Sequence, residues 1–221
     1  MSKLKKISII LPVFLFFSCA SGDIYSELVK NFSVLFSNPE DISKEKIESI
    51  PYASMQARLG RSENILIILE EENEDLLKWT SSNLVKIYTK NGYVMRLTGL
   101  GNELDNLELD RDHPINKGSF ENINPEEIFT SYYTFKNPNL FMLPVKTKIK
   151  YIKDEEILIF NNLNSTKLYK EYSLDNLISW SFENYFWINN EGEVVKSIQS
   201  FTPKNPKIFL KLTKKYKKPG N

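Results

Sequence analysis

Behind Lys3, Lys5 and Lys6 the chain carries one short, unbroken apolar run, Ile7 to Phe17. It is too short to cross a bilayer as a helix, which takes about 20 residues. Its layout, with small residues at Ser18, Cys19, Ala20 and Ser21, is that of a bacterial secretory signal. The next pattern has helical spacing. Ile24, Leu28, Phe32, Leu35 and Phe36 predict an amphipathic helix over 24–36, with Asp23 as its N-cap. After a break at Ser37 to Pro39, a short second helix is expected over 42–48. It must stop before Pro51, because the residue ahead of a proline avoids the α region.

From Tyr52 onward the period shortens to two. Strands are expected at 52–59, 64–70, 76–81, 84–89 and 93–98. The run Ile65 to Leu69 is apolar on both faces and reads as a buried strand. Glu71 to Asp75 reads as a turn. Asn91-Gly92 is the strongest hairpin signal in the chain and joins 84–89 to 93–98. Residues 99–126 are polar and turn-rich, a long excursion with room for one short strand. Strand signals resume at 129–135, 146–152, 156–160, 166–173, 180–188, 194–202 and 207–213, with a second hairpin at Asn190 to Gly192. The expected fold is mainly β. It is a single domain of antiparallel meander strands, forming a strongly curved sheet or an open barrel or sandwich, behind an N-terminal amphipathic helix. The expected boundaries are a signal peptide at 1–18 and one β-rich domain at 19–221. Residues 19–50 form its helical segment and 214–221 a basic tail.

Composition removes several classes of function. The 221 residues hold 29 Lys and Arg against 28 Asp and Glu, a near balance unlike the basic field of a nucleic-acid binder. One Cys excludes an internal disulfide, and one His leaves little for a zinc site. No metal or cofactor is expected. Aromatic residues reach 13% and glycines number only 8, which favours strands.

The single Cys stands where the signal would be cut. Ser18 before it suits a lipobox, although Phe16 and Phe17 depart from the usual Leu and small residue. Cleavage there makes Cys19 the first residue and the site of acylation. The alternatives are a plain secretory signal with an incidental Cys, or a retained N-terminal anchor. Loss of Lys3, Lys5 and Lys6 leaves 26 basic against 28 acidic residues, a net charge of −2. Several acyl chains on one Cys anchor a protein stably without a basic patch. Ala20 lacks the Asp that retains lipoproteins at the inner membrane. The expected place is therefore the cell envelope, lipid-anchored, on the periplasmic face of the outer membrane.

Catalytic candidates are thin. His113 lies among Asp110, Asp112 and Pro114 and has the makings of a general base oriented by a carboxylate, but it reads better as a solvated loop histidine. Glu103, Asp105, Glu108, Asp110 and Asp112 crowd the same loop. Their spacing fixes no distance of the kind a glycosidase pair needs. No Gly-x-Ser-x-Gly elbow is present, so no catalytic residue is assigned. The acidic turn at Glu70 to Asp75 and the lysines at 211, 214, 215, 217 and 218 read as solvated charge. Alternation puts Tyr185 and Trp187 on one strand face and Phe186 on the other. Tyr185, Trp187 and the preceding Trp180 are the candidate glycan or partner surface, set against a plain packing role.

Three ordered blocks resemble a known family. They are Ile50 to Met55 with Arg58, Leu59 and the apolar strand 65–69; Trp79 with Gly92 to Arg96 and Thr98 to Leu104; and Asn184 to Asn189 with Gly192, Val194, Ser197, Gln199 and Pro203. In order and spacing they are similar to the YjbF/GfcB lipoproteins of group 4 capsule and exopolysaccharide export. The resemblance implies a β-rich lipoprotein with no established catalytic residues. Its implied partners are the membrane through Cys19, other envelope proteins of polysaccharide export and, as a further candidate, the polysaccharide itself. The expected function is non-enzymatic assistance to polysaccharide secretion or assembly. The alternatives are a lipid- or glycan-binding carrier and a polysaccharide-modifying enzyme.

Overall fold

A run of short-period segments joined by tight turns has one economical solution, an antiparallel meander. The computed structural model describes residues 41–121, 123–159, 162–175, 177–203 and 205–215. All of them belong to one compact unit, Pro39–Asn221. The signal segment, Cys19, the helix expected at 24–36 and the end of the basic tail lie outside the described residues.

Helix α1 (Lys44–Glu48) is capped by the Ser43 side chain and precedes the first strand. Twelve strands follow in chain order. They are β1 (Ser54–Leu59), β2 (Ile65–Asn73), β3 (Leu76–Thr80), β4 (Lys86–Lys90), β5 (Tyr93–Thr98), β6 (Leu104–Glu108), β7 (Phe129–Phe135), β8 (Leu140–Ile159), β9 (Asn162–Leu174), β10 (Ser181–Asn189), β11 (Val194–Gln199) and β12 (Ile208–Lys214). Each pairs antiparallel with its chain neighbours. β12 returns to β1, with Met55 opposite Leu212 and Ala57 opposite Leu210. The expected curved sheet thus closes on itself as a barrel, and closure removes the open edges. Its polarity is apolar inward and charged outward, the reverse of a lipid-embedded barrel.

The stretch Glu71 to Asp75, expected as a turn, is strand as far as Asn73, where β2 still pairs with β3. Elsewhere the strand positions follow the alternation closely, with two exceptions. The separate strands expected at 146–152 and 156–160 are parts of one 20-residue strand, β8. With β9 it forms a hairpin whose outer part, residues 152–159 with 162–165, runs on as an arm beyond the pairing with β7 and β10. Secondly, the Ile65 to Leu69 run is not buried on both sides. Ile67 enters the core while Ile65 is exposed.

The lumen is filled by side chains. The core includes Trp79, Ile87, Leu97, Leu104, Tyr133, Phe135, Ile149, Phe186 and Leu210. Trp79 sets its indole N–H on Thr89 Oγ1 at 2.9 Å, so even this buried polar atom is satisfied. Gln199 ties opposite walls together. Its Oε1 accepts from the Val94 N–H at 2.9 Å and its Nε2 donates to Gly92 O at 2.7 Å. Gly92 is left-handed at φ +74°, and a Cβ there would lie 2.7 Å from Val194 Cβ. The Asn-Gly turn therefore serves the close approach of two hairpins as well as the hairpin geometry.

Candidate functional site

The excursion at 99–126 holds β6, as one short strand, and a helical turn, α2 (Pro114–Lys117). Asp110 shapes its start. Its carboxylate accepts from the backbone N–H of Asp112 and of Thr130, both at 2.9 Å. Those bonds hold the Asp110 carboxyl below the usual carboxylate range. Asp110 is thus committed to the backbone and does not orient His113. The segment then turns into the barrel, where Ile115 and Phe120 join the core.

His113 is not a solvated loop residue, as expected from sequence; it is 1% exposed. Its Nδ1 accepts from the Ile115 N–H at 3.3 Å and caps α2, which leaves the proton of the neutral ring on Nε2. That atom faces Glu171 Oε2 at 3.7 Å, beyond hydrogen-bond length. Glu171 projects inward from β9 and is fully buried. Its Oε1 accepts three bonds: from Tyr93 Oη at 2.8 Å, Asn184 Nδ2 at 3.0 Å and Ser173 Oγ at 3.1 Å. The Tyr133 hydroxyl lies 3.4 Å from that of Tyr93. Burial, with the Glu171 charge next, pushes the Tyr93 phenol well up, and the Tyr133 phenol moves the same way for the same reasons.

A carboxylate, an imidazole and two phenols resemble catalytic furniture, but each of the four is walled in. Their geometry instead ties β5, β7, β9 and β10 to the inserted segment. Among the described residues no group of His, Cys, Asp and Glu converges as a metal site. Pairing across 58 positions of chain could not be seen in the local sequence around His113.

The aromatic surface expected from sequence is taken apart by the structure. Trp180 is 8% exposed, because it turns into the mouth of the barrel opposite α2. It lies against Phe182 at 4.2 Å and meets Tyr133 and Phe135 edge-on at 5.4 and 5.7 Å. Trp187 does face outward, with Tyr185, as alternation predicts. It is nevertheless only 2% exposed, because the β8–β9 arm lies over it. Trp187 Nε1 donates to Glu155 Oε2 of the arm at 2.8 Å, and Lys196 Nζ sits 4.1 Å from the ring centre. Ile157 and Ile159 share the Glu155 side of the arm and are buried outside the main core. Burial lowers the Lys196 ammonium pKa.

Tyr185 keeps partial exposure, but its ring is flanked by Lys170 and Lys207 at 5.5 and 5.4 Å. Its hydroxyl donates to Glu183 at 2.7 Å. Burial, with that bond next, raises its phenol pKa. A more exposed ring stands on the neighbouring strand, with Lys170 Nζ 4.2 Å from its centre. Tyr172, opposite Glu183, is 44% exposed. With Ile128 and Leu174 it lines an open groove of about 710 Å³, rimmed by Lys146 and Lys148. The sequence signal for it is the alternation of β9, which puts Lys170, Tyr172 and Leu174 on the outer face.

The basic C-terminal run is likewise committed where it is described. Lys211 pairs with Asp41 at 2.7 Å, Lys214 donates to Ile50 O at 2.6 Å, and Lys215 bridges Glu191 and Glu193. In the acidic stretch at the end of β2, Glu70 and Glu71 share Lys78, and Asp75 in the following turn pairs with Lys90.

Fold and site together define a closed, side-chain-filled β-barrel whose available surface lies on its outer wall rather than in a lumen. The sequence profile of one family, described as "Group 4 capsule polysaccharide lipoprotein gfcB, YjbF", matches residues 24–212. The chain belongs to that family. Over 98 residues it is 26% identical to the uncharacterized lipoprotein GfcB of Escherichia coli K12, a match covering 43% of this chain. The matched part spans 46%, about half, of that curated relative's length. The crystal structure of the hypothetical lipoprotein YmcC from Escherichia coli K12 superimposes with a TM-score of 0.70 at 20% identity. It covers 86% of this chain and 97% of the YmcC chain, a likeness of fold.

Proposed function

We propose that this chain is a non-enzymatic lipoprotein that assists secretion or assembly of a capsular or extracellular polysaccharide. In this reading an acylated Cys19 holds it on the periplasmic face of the outer membrane, among other envelope proteins of the export route. The observation that carries the reading is the family match across 24–212, which leaves little of the barrel unaccounted for. Cys19 just ahead of the matched region supports the anchor. Enclosure of His113 and Glu171 favours a role without catalysis at that cluster. The filled lumen favours contact through the outer wall over carriage of a ligand inside.

The test is surface and periplasmic polymer in a strain deleted for the gene. Loss at the surface with total polymer retained is the expected result. Unchanged amounts and chain lengths in both fractions reject the role. Cys19→Ser is expected to release the protein from the membrane and reduce surface polymer; normal export by the freed protein would reject the anchor's part in it.

A further inference from the structure

We propose that the outer face of β8, β9 and β10 is a binding site for an acidic polysaccharide. This rests on the secretion role above and gives it a surface and a ligand chemistry. Lys146, Lys148 and Lys150 alternate with the inward-facing Thr147 and Ile149. They stand in single file along the wall, about 6.8 Å apart at strand spacing. Lys148 pairs with Glu126 at 2.7 Å and Lys170 with Glu183 at 2.7 Å. Lys146 and Lys150 have no ion pair among the described residues.

Lys150 lies directly opposite Lys170 across the β8–β9 ladder. Like charges in that position are destabilising. Glu183 answers Lys170 at 2.7 Å, just as Asp41 answers Lys211 at 2.7 Å where Lys196 faces it across β11–β12. Lys150 itself points outward with no ion pair of its own among the described residues, and with Lys146 it leaves two cations on the wall for an anion to meet. The positive file is local, since the chain without its leader is net −2.

Charge alone would fit any anion. The groove beside the lysines narrows the choice. Tyr172, Leu174 and Ile128 give it an apolar floor next to the cations, with Ser181 as a hydrogen-bonding group. Sugar rings present apolar faces for stacking and hydroxyls for such groups, and acidic sugars add the negative charge. A concave channel with cations in file suits an extended anionic chain better than a flat bilayer.

The test uses the full lipidated chain in detergent micelles, with polygalacturonate as the acidic probe and dextran as the neutral one. Vesicles of phosphatidylglycerol in phosphatidylcholine form the membrane arm. Expected is binding to polygalacturonate that weakens with salt, and none to dextran. The Lys146→Ser/Lys150→Ser pair is expected to weaken binding about tenfold. Tyr172→Ala is expected to weaken it about fivefold. Lys150→Glu separates binding from folding: it removes the repulsion and gives Lys170 a second carboxylate. Binding should fall about tenfold while Tm rises by about 2 °C. Absence of polygalacturonate binding, or wild-type affinity in the lysine pair variant, overturns the proposal. Capture by the anionic vesicles without polygalacturonate binding also overturns it and makes the face a membrane contact. If deletion of the gene still removes surface polymer while the lysine pair variant exports normally, the secretion role stands and this site falls.

Discussion

At one mouth of the barrel, Trp180 folds over Phe182 and meets Tyr133 and Phe135 edge-on. At the other, the segment from Leu109 to Glu121 enters the lumen and delivers His113, Ile115 and Phe120. The first closure is apolar packing and asks only for shape. The second brings a helical turn inside, with backbone and imidazole to satisfy, and a buried carboxylate lies at its inner end. Glu171 answers with three hydrogen bonds on one oxygen and His113 near the other. The two ends are therefore sensitive to different changes. Apolar closure responds to lost volume, whereas the polar one responds to lost partners and to pH.

The largest effect is expected at the polar closure. Glu171→Ala leaves Tyr93, Asn184 and Ser173 donors buried without their acceptor and should cost about 4 kcal/mol in urea unfolding. Glu171→Gln keeps an acceptor at the same place and should lose clearly less; equal losses would mean that volume, not bonding, matters there. At the apolar mouth, Trp180→Ala should cost about 3 kcal/mol by cavity formation, with no change in its pH profile. A shifted profile would break the contrast between the two ends.

The alkaline limb gives a third, smaller effect. The folded pKa values of Tyr93 and Tyr133 lie above their unfolded ones. The stability they contribute is complete below about pH 10 and is lost as pH rises beyond it, by up to about 1.4 kcal/mol per unit for each phenol. Tyr93→Phe/Tyr133→Phe should flatten that limb; an unchanged slope would show that other groups set it. The smallest effect lies at the entry to the plug. The Asp110 carboxyl is depressed by the Thr130 and Asp112 N–H groups. Its contribution is present above about pH 4 and lost as pH falls through the folded value. Exposure screens it, so Asp110→Asn should cost about 0.5 kcal/mol at pH 7 and nothing near pH 2.

What could be read from the chain was what neighbours in sequence decide. Asn91-Gly92 and the Asn190 to Gly192 turn announce their hairpins, and alternation puts Phe186 inward and Tyr185 outward, as found. What could not be read depends on chain that returns from far away. Trp187 faces out but is covered, because β8 and β9 run on beyond the wall they belong to. His113 sits in a polar stretch whose local pattern says surface, and only its approach to Glu171 makes it interior. Trp180 and Trp187 are buried for the same reason, since exposure of an aromatic is a tertiary property. Tyr172, on an ordinary alternating strand, carried no mark that set it apart.

Because the strands pair in chain order, every ladder but one forms between consecutive strands. The exception is the closing seam, where Ser54 of β1 meets Lys214 of β12. That contact has the highest sequence separation in the sheet and should be among the slowest to form. A chain made from its N-terminus therefore holds β1 with one side unpaired until its last strand is delivered. A barrel without edges is, while it is being made, a sheet with two. The final ten or so residues of the meander complete the ring and also end the interval in which a passing strand could pair in place of β12.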